Sequence, residues 1–196
     1  MPRAADTALP RPRARMAKCA VALVLMLPIA SLFAQVRQPE ISLEYAVKAT
    51  YLYKLAPFVN WPPRTFASPD APFDICVVGQ DPFNDFLEKS VAGRKLGTHP
   101  IEVRRLGAVT PGADCQIAYI GSTRPEKVRE ALQAFNGRPV LTVTDSNDPD
   151  SSGSIVQFVI DRGHVRFEID NSAAIRNHLV ISSKLLNLAL AVKGAG

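Results

Sequence analysis

The 196 residues are 47% hydrophobic and 21% charged, which supplies enough apolar material for one packed domain and rules out a disordered chain. The formal net charge is +5, but the first 34 residues hold Arg3, Arg11, Arg13, Arg15 and Lys18 against Asp6 alone; beyond them 18 basic residues face 17 acidic ones. That near balance excludes the clustered cationic footprint of a nucleic-acid binder.

Basic residues, then the apolar run from Cys19 to Phe33, then Ala34-Gln35, is the layout of a secretory signal peptide. A spanning helix would need about 20 apolar residues; an uncleaved anchor is the alternative. Cleavage after Ala34 leaves a domain of residues 35–196 with two cysteines, Cys76 and Cys115, in a compartment that permits disulfides.

From Ile41 to Ala56 the spacing predicts an amphipathic helix, with Ile41, Ala49, Leu52, Tyr53 and Ala56 on one side and Glu44, Lys48 and Tyr51 opposite. Pro57 ends it, because its ring collides with the carbonyl one turn back. Phe73–Gly79 is a short apolar, β-branched run bounded by turn residues and reads as a buried strand. Asp81 and Pro82 suit the cap and first position of a helix running to Val91. Ile101–Leu106 alternates as a half-exposed strand, and Cys115–Gly121 is a second buried strand. Thr123-Arg-Pro-Glu126 is a capping box opening a helix to about Phe135, which Asn136-Gly137 closes.

Val140–Thr144 is a further strand, followed by the polar loop 145–153. Ser154–Ile160 reads as an interior strand, and it returns through a hairpin to an edge or half-solvated strand in which Val165, Phe167 and Ile169 alternate with polar residues. Ser172–Val192 reads as a closing helical region that buries Leu179, Ile181, Leu185, Leu186, Leu188 and Leu190. It is breakable at Val180-Ile181, where Ser182 offers a second cap. The order predicts a single-domain, three-layer α/β fold: mostly parallel central strands, a C-terminal antiparallel hairpin and helices on both faces.

His99, His164 and His178 have no metal-ligand spacing to other ligating residues, and no nucleophile elbow or dinucleotide fingerprint is present, so the expectation is no metal, no cofactor and no catalytic residue. Turns after three parallel strands would gather Gln80, Asp81, Ser122, Thr123 and Asp145 into a possible ligand crevice; ordinary turn and cap chemistry is the plainer reading. Neighbouring strands lie about 4.8 Å apart, within reach of a Cys76–Cys115 disulfide. A reduced buried pair of thiols is the alternative. Tyr45, Tyr51, Tyr53, Phe58 and Trp61 form an aromatic stripe that reads as core packing, and any exposed part, with Tyr51, Phe58 and Trp61 foremost, offers a partner surface.

Ala49–Pro62, Ile75–Phe83, Val140–Asp145, Val165–Ala174 and Ile181–Ala189, in that order and spacing, resemble the YfiR family of periplasmic proteins. The resemblance implies a non-enzymatic negative regulator that binds the periplasmic region of an inner-membrane diguanylate cyclase, lowering cyclic di-GMP and opposing biofilm formation. An OmpA-like outer-membrane lipoprotein would sequester such a regulator. The resemblance also carries a disulfide to Cys76 and Cys115 and, with the free edge strand, allows a homodimer. This chain departs from the family in the loop 147–153, at Asp170, at His178 where glycine is usual, and in lacking a second cysteine pair. The alternative function is a small-molecule-binding periplasmic sensor that uses the crevice at the strand ends.

Overall fold

The computed structural model describes residues 38–110, 112–122, 124–145 and 153–194, with side chains from residue 43 onward. The leader with its cleavage site, Thr123 and most of the polar loop lie outside the described residues. In chain order the elements are α1 (Gln38–Leu55), β1 (Val59–Asn60), β2 (Phe73–Gly79), α2 (Phe86–Val91), β3 (Lys95–Leu96), β4 (His99–Leu106), β5 (Ile117–Gly121) and α3 (Pro125–Phe135). They continue as β6 (Leu141–Thr144), β7 (Val156–Asp161), β8 (His164–Asp170), α4 (Asn171–Arg176), β9 (Val180–Ile181), α5 (Ser183–Leu186) and β10 (Ala191–Lys193).

Eight strands form one sheet in the order β10-β8-β7-β6-β5-β2-β4-β3, parallel from β4 through to β7 and antiparallel at the β7–β8 and β3–β4 pairs. β2 has a parallel neighbour on each side, which is why it is apolar on both faces. Phe73, Ile75 and Val77 pack with Leu52, Leu55 and Leu87 of α1 and α2. Cys76 and Val78 pack with Val128, Ala131 and Phe135 of α3 on the other face. The chain steps from β2 to β4 in one direction and from β5 to β6 in the other, so right-handed crossovers put α2 and α3 on opposite faces. This is the expected single-domain architecture.

Cys76 and Cys115 are joined by a disulfide, with Cα atoms 5.9 Å apart. The bridge is diagonal: Cys76 lies opposite Ala118, while Cys115 sits two residues before β5. Gln116 fixes that approach, since its backbone N–H donates to the Asp74 carbonyl at 3.0 Å and its Oε1 accepts from the Asp74 N–H at 2.6 Å.

Several local expectations are corrected. The second helix starts at Phe86 rather than Pro82, because Asn84 takes a left-handed φ of 51° that no helix interior accommodates. Asp81 Oδ1 accepts from the Phe83 N–H at 2.7 Å and closes a turn instead. α3 begins one residue inside the expected box, with Arg124 at its cap position and no side-chain cap bond. Lys48, expected opposite the apolar side of α1, is buried.

The closing region is not continuously helical. His178, at φ 57°, ends α4 in a Schellman motif in which the Leu179 N–H donates to Ala174 O and the His178 N–H to Ile175 O, both at 2.9 Å. The β-branched Val180-Ile181 then pairs with Val59-Asn60, and Ser182 caps α5 through the Leu185 N–H. The chain finally adds β10 in parallel beside β8, so β10 is the edge and β8 is the half-solvated strand beside it. Leu188 and Leu190, expected in the core, are 58% and 45% exposed.

We predict that a Cys76→Ala, Cys115→Ala protein is less stable by about 4 kcal/mol in urea titration, the loop-closure entropy of a bridge spanning 39 residues; unchanged stability, or two free thiols in the unreduced protein, would refute the staple. Replacing His178 by glycine relieves the left-handed strain and should raise stability by roughly 0.5–1 kcal/mol despite the added freedom of the unfolded chain. A lowered melting temperature for H178G would contradict that account.

Candidate functional site

Three kinds of feature lie around this frame: the ends of the central strands, a buried charge cluster and an uncovered apolar stripe. Successive side chains alternate between the faces of a sheet, so residues adjacent in a strand-end turn part company. Gln80 and Ser122 turn toward α3 and line a cleft of about 420 Å³ with Gly79, Gly121, Arg124 and Lys127. Asp81 goes the other way, its Oδ2 accepting from Arg105 Nε at 2.6 Å. Asp145 is also on the α1 face, so the expected five-residue crevice does not assemble as one site; Thr123 lies outside the described residues.

Asp145 Oδ2 accepts from Lys48 Nζ at 2.9 Å, and Glu44 Oε1 stands 2.5 Å from the same ammonium. Lys48 is 4% exposed, and its ammonium lies 4.6 Å from the Tyr45 ring centroid. A lysine so placed requires its partners, because an unpaired buried charge costs several kcal/mol. Burial, and then the charge of Asp145 together with its hydrogen bond to the phenol, push the Tyr45 hydroxyl up to about 12. The same causes raise Tyr119, which is buried inside Tyr45, Phe83 and Asp145. The cluster thus ties the middle of α1 to the end of β6. Among the described residues, no group of three or more His, Cys, Asp or Glu side chains is arranged to hold a metal ion.

The aromatic residues have separate anchorages. Tyr51 leans on Phe158 and Phe167 of the hairpin, with centroids 6.1 and 5.8 Å away. Trp61 meets Phe73 edge to face at 5.1 Å, its indole N–H buried without a partner among the described residues. Phe58 is half-buried, and its carbonyl accepts from the Ser182 N–H at 2.9 Å.

All three are partly exposed, and Tyr51 lines a shallow groove of about 440 Å³ with Ala46, Val47, Thr50 and Lys54. One and two turns toward the start of α1 from Tyr51 stand Val47 and Leu43, 36% and 67% exposed. Two residues past Phe158 on the same strand face comes Ile160, half exposed, opposite Val165. Both steps are about 6 Å, four residues of helix against two of strand. The apolar stripe that is closed at Tyr51 therefore runs on, open, toward the hairpin turn. Leu43, Val47 and Ile160 were missed as surface residues. Their signal was the i, i+4, i+8 spacing of Leu43, Val47 and Tyr51, a second apolar row beside the buried one.

A family model described as YfiR/HmsC-like matches residues 45–190, which takes in every element from the body of α1 to the approach to β10.

We predict that stability falls as pH rises from 10 to 12. Unfolded tyrosine loses its proton near 10 while folded Tyr45 holds its own up to about 12, so the native state binds the extra proton and is favoured only below that window. Tyr45→Phe should flatten the alkaline limb of a melting-temperature profile; an identical limb would remove the assignment. Lys48→Ala, which strands Glu44 and Asp145, should cost about 3–5 kcal/mol in urea unfolding, and a cost under about 1 kcal/mol would mean the pair is effectively solvated.

Proposed function

The chain belongs to the YfiR/HmsC-like family, periplasmic regulators of a membrane diguanylate cyclase rather than catalysts, and on that premise we propose that it holds the cyclase inactive by direct contact. The observation that carries this reading is the family match across residues 45–190. The uncovered row of Leu43, Val47 and Ile160 beside Tyr51 supports it, because an apolar strip on a stapled, rigid body suits burial against a protein partner. The partner is the periplasmic region of the cyclase, and the outcome is lower cyclic di-GMP and less biofilm. An OmpA-like lipoprotein that competed for the same strip would release the enzyme.

The mechanism is differential affinity: the regulator shifts the cyclase only by the extent to which it prefers the inactive form. A hundredfold preference, about 2.7 kcal/mol, moves an evenly poised enzyme to roughly 99% inactive. Burying two or three large apolar side chains is enough to supply that difference.

We predict that Leu43→Asp with Val47→Asp lowers affinity for the cyclase's periplasmic region at least tenfold and raises cellular cyclic di-GMP as deletion of the gene does, with circular dichroism and melting temperature unchanged. Retained binding by this variant would move the contact elsewhere. Unchanged cyclic di-GMP on deletion would remove the regulatory reading itself.

A further inference from the structure

The cleft on the α3 face belongs to neither the charge cluster nor the apolar strip, and three glycines line it. The neighbouring strands β4, β2 and β5 are followed or ended by Gly107, Gly79 and Gly121. Two of these have a packing reason. A Cβ on Gly79 would stand 2.6 Å from Gly121 O, and one on Gly121 would stand 2.1 Å from Gln80 O, so the backbones could not approach as they do. Gly107 has none: a Cβ there meets nothing within 4 Å, and its backbone is not left-handed. The absent side chain leaves space.

That space lies where the chain's crossovers diverge. β2 leads toward β4 and β5 leads toward β6, with their helices on opposite faces, and open α/β sheets form ligand crevices at such a point. Its volume of about 420 Å³ is at the small end of the range for ligand sites, roughly 300–1,000 Å³. The floor is apolar, made by Val78, Ile120 and Ala131, with Val109 and Ala134 beside them. Around the rim stand the Gln80 amide, the Ser122 hydroxyl, Arg124, Lys127 and Glu130. Lys127 pairs with Glu130 at 2.7 Å, whereas among the described residues Arg124 has only a distant 3.9 Å ion-pair approach to Glu126, which lies outside the lining. The rim therefore carries two cations against one carboxylate over an apolar pit.

We infer that this cleft is a binding site for a small amphipathic anion, with the apolar body between α3 and the ends of β2 and β5 and the anionic group at Arg124 and Lys127. The site is independent of the regulatory reading, because it occupies the opposite face of the sheet from Leu43 and Val47. It takes Gln80 and Ser122 from the crevice foreseen in the sequence and replaces the two aspartates with basic residues, which reverses the charge of ligand it suits.

The test uses 1-naphthalenesulfonate as probe and 1-naphthalenemethanol as its neutral counterpart, titrated into the ¹⁵N-labelled protein. Expected are saturable shifts of the Gly79, Gly107 and Gly121 amides, with the anion at least tenfold tighter than the alcohol. Ala134→Trp, at an exposed position of α3, should weaken both at least tenfold by filling the cleft. Arg124→Glu with Lys127→Glu should weaken the anion alone. Absence of saturable shifts at these glycines, shifts confined to the Leu43 and Val47 region, equal affinity for the two probes, or unchanged binding by Ala134→Trp would each overturn the proposal.

Discussion

The close pairing of β2 with β5 is the constraint on which the rest of the molecule rests. At one end the strands touch through two glycines that no other residue could replace without moving a backbone. At the other, the Asp74 and Gln116 backbones are linked and the sulfur bridge crosses diagonally. Between these points the ladder from Ile75–Ile117 to Gly79–Gly121 has no freedom of register. A one-residue slip would turn Cys76 and Val78 into the α1 layer and Ile75 and Val77 into the α3 layer, so both cores would fail together.

That frame was readable in the amino-acid order for a plain reason. A strand buried on both faces must be apolar at every position, and Phe73–Gly79 is such a run with turn residues on either side. The hairpin and the end of α3 were equally legible, because Asp-Arg-Gly-His and Asn-Gly permit little else. The C-terminal region was legible only in its break at Val180-Ile181 and its Ser182 cap, since Ile181, Leu185 and Leu188 fit a helix by spacing. What decided otherwise was tertiary: a left-handed His178, and an edge of β1 waiting for Val180 and Ile181.

The candidate site was half legible. Composition placed chemistry-bearing residues at the strand ends, yet it could not say which face each would choose. Gln80 and Asp81 are neighbours in sequence and diverge in space. Lys48 illustrates the same limit, for a charge on a helix ordinarily marks the wet side. Here Asp145, 97 residues away, makes burial tolerable, and nothing local announces it. An ion pair of this kind adds little net stability over an apolar substitute. It fixes where α1 sits on the sheet, and with it the direction in which Leu43 and Val47 are presented.

The sequence spans of these ties imply an order of assembly. The sulfur bridge closes across 39 residues and the lysine contact across 97, so the sheet centre and the packing of α1 on α2 gather from nearer parts of the chain while the Lys48–Asp145 tie must await the end of β6. Damage at the central strands would then slow the search for the native state, whereas damage at Lys48 would hasten its loss.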